Sequence, residues 1–456
     1  MDRLSPLDAV FLELEDADPH VSLAIASVAV LDGPVPPHRE LVDALTTRLP
    51  LMPRYRQKIR RLPFDLGAPI WVDDDRFDPA AHIHRVAVPA PGDQDALCEL
   101  VALLMAERLD RARPLWEAWV VEGLADGRWA ILSKIHHCLA DGVSGATLLE
   151  TLLTGSPRGV PVPSELPDSG VFPLLLDAVR DMARGPADLL WSLTGELRRP
   201  ARFARRLADA ARGLGALSEA LVPAAASSLS GPLGTDRRYE LAHARLSEVH
   251  AASSALGVTV NDVVLAAVAG AFRDLLRRRG ERPRPGSLRT LVPVSARTGT
   301  EPAIVDNRIS VMLPRLPVDL PSPAARLTAV HHRMSALKTS GETAGGIALT
   351  GLARLVPFAP LSFGMRAAAR LPQRSVVAVA TNVPGPRSPL SVLGRPLVDL
   401  YPYVPIALRV RTGVAVLTYC DRLTFGITTD LDSAPERGYL GKAVEHELAA
   451  LLAMTD

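Results

Sequence analysis

The sequence predicts an α/β protein built as two halves with a helical connector between them, and three observations carry that prediction. At 456 residues the chain is longer than one hydrophobic core supports, since single cores stop growing near ~250–300 residues. Strand-like and helix-like apolar patterns alternate near both ends of the chain. In the middle, five prolines between 157 and 173 give way to sequence rich in Ala, Leu and Arg. The division that follows is 1–160 for the N-terminal unit, 161–235 for the Pro-rich and then helical connector, and 236–456 for the C-terminal unit.

Within the first unit, the apolar β-branched run VSLAIASVAVLDG (21–33) predicts a strand and HRELVDALTTRL (38–49) a helix. Apolar residues recur at helical spacing through DALCELVALLMAERLDR (95–111), and EAWVVEGLADGRWAILSKIHH (117–137) predicts two strands around a turn at Ala125-Asp126-Gly127. SSLSGPLG (227–234) closes the connector. The second unit begins at Arg237, with a helix over TVNDVVLAAVAGAFRDLLRRRG (259–280) and a strand in SLRTLVPVSA (287–296). Further strands follow in SVVAVATNV (375–383) and GVAVLTYCDRLTFGITTD (413–430).

Composition narrows the function classes. With 51 Lys+Arg against 50 Asp+Glu, the formal charge of +1 gives no global attraction to nucleic acid or an anionic membrane. Hydrophobic residues make up 48% and aromatics only 4%, so small and branched aliphatics must fill the interior. Cys98, Cys138 and Cys420 lack zinc or disulfide spacing and suit a reducing cytoplasm. The acidic opening MDRLSPLDAVFLELEDADPH does not read as a signal peptide, and no apolar run reaches a membrane span. A cytoplasmic protein that meets membranes from outside is expected.

The chemistry concentrates in ILSKIHHCLADGVSG (131–145). Successive strand side chains face opposite ways, so His136 and His137 share a site only if the strand ends there. A third ligand at usable spacing is missing, which argues against zinc. One histidine as general base and the other as support, with Asp141 and Gly142 forming the bend, is the chemical reading: a neutral imidazole with a pKa near 6.5 accepts a proton from an alcohol. Two buried histidines bonded to carbonyls is the equally open alternative. Cys138 reads as a small buried residue. Ser144 approaches a nucleophile elbow, but Ala146 stands where that pattern needs glycine.

HHCLADG fits the HHxxxDG motif of the CoA-dependent acyltransferases. It is accompanied, in order, by LSPLDAVFLELE (4–15), WVDDDRFDPAAHIH (71–84), LDRARPLWEAWVVEGL (109–124), TVNDVVLAAVAGAFR (259–273), VPVSAR (292–297), DNRISVMLPRLP (306–317) and TNVPGP (381–386). Together these resemble the bacterial wax ester synthase/diacylglycerol acyltransferase family along nearly the whole chain.

The resemblance implies two chloramphenicol-acetyltransferase-like domains with an active-site tunnel between them, no metal and no cofactor. Acyl-CoA would be a substrate, and diacylglycerol or a long-chain alcohol the acceptor. His137 would be the general base, with His136 and Asp141 shaping the site. Gly142, Ser144, Asn261, Asp262 and Asn382 would contact substrate, while Pro114, Leu115, Trp116, Glu117 and Arg297 would support the site. Peripheral contact with a membrane or lipid droplet and no nucleic-acid partner complete the implication.

Asp306, Thr381 and the passage 401–416, with Arg409 and Arg411, depart from the family pattern. They leave the HHxxxDG motif untouched and bear on acceptor choice. A condensation-type acyltransferase using a carrier-bound acyl group and a non-catalytic lipid-binding paralogue are the competing functions.

Other features have plainer readings. Asn261 and Asp262 precede an apolar helix, where such residues cap an N-terminus. His331-His332 reads as a solvated helix face. Arg198, Arg202, Arg205 and Arg206 form a helical stripe, read equally as solvated or as a contact for anionic lipid.

Overall fold

Two mixed sheets organise the chain, and the strand that ends at the paired histidines lies inside the first. The structure is a computed structural model that describes residues 3–139, 227–295, 309–339, 358–370 and 376–455. In chain order the first part holds α1 (Pro6–Ala17), β1 (Ala24–Leu31), α2 (His38–Thr46), β2 (Gln57–Arg60), β3 (Ile70–Asp73), β4 (Ile83–Ala87), α3 (Gln94–Ala106), β5 (Trp116–Glu122) and β6 (Trp129–His136). The second part holds β7 (Arg237–Arg245), α4 (Leu246–Ala255), α5 (Val260–Arg278), β8 (Leu288–Ser295), β9 (Ile309–Met312), β10 (Arg315–Leu316), α6 (Pro323–Thr339) and α7 (Phe358–Arg370). It ends with β11 (Ala378–Val383), β12 (Ser391–Val392), β13 (Arg395–Tyr403), β14 (Thr412–Tyr419), β15 (Arg422–Asp430) and α8 (Tyr439–Leu452).

The first sheet runs β12-β13-β1-β6-β5-β4. Two of its six strands, β12 and β13, therefore come from beyond residue 390, so a cut near residue 236 does not separate the sheets. β13 pairs antiparallel with β1, from Ala26 opposite Tyr403 to Leu31 opposite Leu397. The second sheet runs β10-β8-β11-β14-β15-β7, with β9 also on β8. The sheets meet where β13 passes β15: Tyr239 donates its hydroxyl to the carbonyl of Pro402 at 2.7 Å. A Cβ placed on Gly426 would lie 1.8 Å from that same oxygen, so this crossing admits only glycine.

Local sequence explains the elements near the site. β6 is apolar on both faces and sits between β1 and β5, which is why WAILSKIH reads as a continuous buried run. α5 is buried from Asp262 to Phe272, matching its unbroken run of small aliphatics. Its N-terminus carries a capping box, Thr259 and Asp262 each bonding the other's backbone N–H. Among the described residues no single helix is long and apolar enough to cross a membrane. The end of the expected connector, 227–234, is described; Gly231 and Arg411 donate backbone bonds across it to Arg409 and Leu229.

Arg411 also reaches the carbonyls of Pro232 and Ser228, at 3.2 and 3.3 Å. Its departure from the family pattern thus fastens this segment to the second sheet. Arg409 and Leu408 both adopt positive φ in the turn before β14.

Candidate active site

β6 ends at His136, so the two histidines escape strict alternation and take different environments. The backbone fixes both. His136 donates its N–H to Leu115 at 3.0 Å, and His137 donates to Leu23 at 3.0 Å. One histidine is thus tied to the segment entering β5, the other to the segment entering β1. The chain turns at once, Leu139 N–H bonding the carbonyl of His136 at 2.9 Å.

His136 is 1% exposed and faces a carboxylate. Its Nδ1 accepts the backbone N–H of Cys138 at 3.1 Å, with the Cys138 thiol 2.9 Å away. That bond assigns the proton of the neutral ring to Nε2. Nε2 lies 3.5 Å from Glu15 Oε2. Glu15 is itself 1% exposed and accepts from Leu23 N–H at 2.9 Å and from Arg111 at 2.6 Å. Burial alone would push the Glu15 carboxyl up. The hydrogen bonds from His136 and Arg111, together with the Leu23 amide, outweigh it and hold the group down at about 2. Glu15 is therefore an anion at neutral pH.

His137 is half-buried and stacks on Phe11, ring centroids 4.0 Å apart and planes 15° from parallel. Phe11 and Glu15 stand four residues apart on α1, one above the other on one helix face. A single helix therefore supplies the aromatic support of one histidine and the carboxylate facing the other. The sequence contained this signal as the i, i+4 spacing in LDAVFLELE, but nothing local named the partner.

α1 is held from three sides. Arg366 of α7 reaches Glu13 at 2.7 Å and Asp65 at 2.8 Å. Arg111 bridges Glu15 and Asp16, both at 2.6 Å. Arg108 donates to the carbonyls of Val21 at 2.8 Å and Glu15 at 2.5 Å, and also to Asp18, placing a cation at the helix C-terminus.

The PLWE residues stand behind the histidines. Pro114 and Leu115 are buried, and Leu115 supplies the carbonyl that holds His136. Trp116 is 3% exposed, donates Nε1 to the carbonyl of Tyr55 at 2.8 Å and stacks on His82. Glu117 accepts from Trp119 at 3.0 Å and lies 3.7 Å from the buried Lys134, whose ammonium burial pushes down. Cys138 is buried, and burial first, then the Asp8 charge, push its thiol well up; it cannot serve as a nucleophile at neutral pH.

The remaining predicted residues lie on the second sheet's half. Asp262 is buried inside the α5 capping box, and Asn261 precedes it, half-buried. Asn382 and Thr381 are half-buried on β11. His331 corrects the solvated-face reading in part: its Nδ1 lies 2.9 Å from Asp262 Oδ2 while its side chain is 34% exposed, and His332 is exposed. The helix α6 packs against α5, which turns His331 inward. Asp141, Gly142, Ser144 and Arg297 lie outside the described residues, and so do Asp306, Arg198, Arg202, Arg205 and Arg206. Among the described residues no three His, Cys, Asp or Glu side chains converge to hold a metal.

Comparison with known proteins follows this geometry. The family model for the wax ester synthase/diacylglycerol acyltransferase catalytic domain matches residues 4–264, and that for the WS/DGAT C-terminal domain matches 305–452. The chain is similar to the tgs1 protein of Mycobacterium tuberculosis (strain ATCC 25618 / H37Rv), named a probable diacylglycerol O-acyltransferase. The two are 45% identical over 460 residues, covering 100% of this chain and 96% of the relative. Among solved structures it is similar to the wax ester synthase/diacylglycerol acyltransferase of Marinobacter aquaeolei VT8, with a TM-score of 0.67, 26% identity and 99% of each chain covered. The starter condensation domain of rhizomide synthetase, solved with C8-CoA and Leu-SNAC, gives a TM-score of 0.60 at 16% identity, covering 100% of this chain and 94% of that one. At that identity the likeness concerns the fold alone. It bears out the expected two-unit acyltransferase fold.

Proposed function

The chain belongs to the wax ester synthase/diacylglycerol acyltransferase family, and from that premise we propose that it moves a long-chain acyl group from acyl-CoA to diacylglycerol or a long-chain alcohol, with His137 as general base. The observation that carries this reading is the division of labour between the two histidines. His136 faces the Glu15 carboxylate and is fixed by the Cys138 amide, while His137 stands beyond the strand end against an aromatic ring. A carboxylate facing the base raises its proton affinity and lowers the share present as free base at neutral pH. The carboxylate is spent on the other histidine.

The proposed step balances simply. The imidazole of His137 takes the proton of the acceptor hydroxyl as its oxygen attacks the thioester carbonyl. The tetrahedral intermediate then expels CoA thiolate, which recovers that proton, leaving an ester and free CoA. The thioester is already activated by its leaving group, so this chemistry calls for no cofactor. We further propose that Asp141 pairs with Arg297, linking the motif turn to the second unit, and that the two shape the turn rather than touch substrate. Gly142, Ser144, Asn261, Asp262 and Asn382 remain proposed substrate contacts.

The acceptors are insoluble in water, so we place the enzyme at the surface of a membrane or lipid droplet, reached from the cytoplasm. Cys98, Cys138 and Cys420 are all free thiols, which suits that compartment. The test is incubation of purified protein with palmitoyl-CoA and a panel of acceptors, following thiol release and extracted lipid. Ester formation with free acyl-CoA is expected. Activity only with a carrier-bound acyl group would favour the condensation-type reading, thiol release without ester would indicate hydrolysis, and neither product would indicate the non-catalytic paralogue.

A further inference from the structure

The strand that ends at the histidines carries a buried lysine. Lys134 is 1% exposed, in a strand whose neighbours β1 and β5 cover both edges. Ahead of the histidine the run WAILSKIH is otherwise apolar apart from Ser133. Taking an ammonium out of water is costly unless it is paired and hydrogen-bonded. A methionine would fill a slot of similar length without that cost, so the charge itself calls for a use.

The ammonium is held in one place. Its Nζ donates to the carbonyl of Leu104 at 2.8 Å, in the last turn of α3, where a free carbonyl and the helix dipole both favour a cation. Glu117 stands directly opposite on β5 with its Oε2 3.7 Å away, an opposite-charge cross-strand pair. Ala26 is the residue opposite on β1. Side chains two apart on a strand share a face, so Lys134 lies on the face of His136. Glu15 is on that side too, 3.5 Å from the same histidine.

Glu15 is a buried anion facing His136, one residue from the base. Arg111 is divided between it and Asp16, at 2.6 Å each. Lys134 is a cation buried on this face, near enough for the Glu15 charge to act on it. Burial pushes its ammonium down, and the charges of Glu117, Glu107 and Glu15 push back. Glu107 is exposed. Asp8, whose charge acts on Cys138, stands in the first turn of α1 with the Ser5 hydroxyl 2.7 Å away, where the helix dipole offsets it. The buried Cys138 thiol stays protonated.

We propose that Lys134 is a positioning residue for acyl transfer: its fixed charge offsets Glu15, so that the carboxylate opposite His136 does not draw a proton onto His137 beside it. Buried within the sheet, Lys134 touches no substrate and acts through the histidine. The proposal rests on His137 being the general base.

The test is the pH dependence of kcat/KM between about pH 5 and 9, with a water-soluble alcohol and a short-chain acyl-CoA, for the wild type, K134M and E117Q. This profile reports the ionisation of the base in the free enzyme. Lys134 and His137 are three residues apart along an extended chain, or roughly 10 Å. One charge at that distance, through an effective dielectric of ~20, moves an ionisation by about one pH unit. Losing the cation should therefore move the acid limb of K134M up by about one pH unit, a loss of about tenfold on the limb, with the alkaline plateau close to that of the wild type. E117Q removes an acid instead and should move the limb down, by less, because Glu117 is partly exposed and screened. Should K134M fold poorly, K134Q, which keeps a donor for the Leu104 carbonyl and removes only the charge, should show the same upward displacement.

An acid limb that stays in place in a folded lysine variant, with or without a uniform fall in rate, would overturn the proposal, as would limbs that move the same way in the lysine and Glu117 variants. His137→Ala, assayed alongside, separates the two readings. If it keeps its rate, the base assignment fails; if it is inactive while the K134M limb is unmoved, only the role of Lys134 fails.

Discussion

Replacing Glu15 by glutamine keeps the shape of the side chain and removes one buried charge. In the wild type that carboxylate lies between Arg111, at 2.6 Å, and His136, at 3.5 Å, with the Leu23 amide bonded to its other oxygen. Its pKa falls from an ordinary 4.5 to about 2, and at about 1.4 kcal/mol per pH unit this corresponds to ~3 kcal/mol of folding free energy. Loss of one partner from a buried pair gives a similar figure, ~3–5 kcal/mol. Because the folded pKa is depressed, the contribution is complete above pH 4.5 and disappears as pH falls towards 2.

Glu15→Gln should therefore lower the thermal midpoint at pH 7 by roughly 6–12 °C, taking ~2–4 °C per kcal/mol for a sizeable domain. At pH 3 the gap should shrink to what roughly 1 kcal/mol produces. Scanning calorimetry or circular dichroism of both proteins across pH 3–7 measures this. Equal midpoints at pH 7, or a gap that does not narrow with acid, would refute the assigned ionisation of Glu15 and with it the division between the two histidines.

Two further substitutions probe other parts of the structure. Gly426→Ala should cost about 3 kcal/mol or more, because its Cβ would stand 1.8 Å from the Pro402 carbonyl where β13 crosses β15; a denaturation curve like that of the wild type would contradict the close approach. Cys138→Ala should retain turnover with at most ~1 kcal/mol lost to the small cavity, and thiol reagents at neutral pH should leave the folded wild type active, since burial keeps that thiol protonated; rapid inactivation through Cys138 would show the pocket to be open.

Much of the fold is legible in local sequence because its elements carry their own signals. TVNDVVLAAVAGAF announces both a capped start and an apolar helix, and α5 has the cap, at Thr259, and is buried from Asp262 to Phe272. The strands of GVAVLTYCDRLTFGITTD become β14 and β15, paired from Thr412–Thr429 to Tyr419–Arg422. What local pattern does not carry is the choice of distant partner. Nothing in RPLVDLYPY says that it leaves the second half of the chain to pair with β1. Residues of α1 are visible as an amphipathic face, yet their meeting with His136 and His137 depends on contacts more than a hundred positions away. His331 was legible only as a surface histidine, since its partner Asp262 is supplied by packing between two helices.

The central claim is that His137, not His136, takes the acceptor's proton, and the most direct measurement is single-turnover acyl transfer by His137→Ala beside its thermal midpoint. The account predicts a rate lowered by ~10²–10⁴-fold with the midpoint close to that of the wild type, because the His137 ring stacks on Phe11 and is only half-buried. A folded His137→Ala protein that keeps more than about a tenth of the wild-type rate would contradict it.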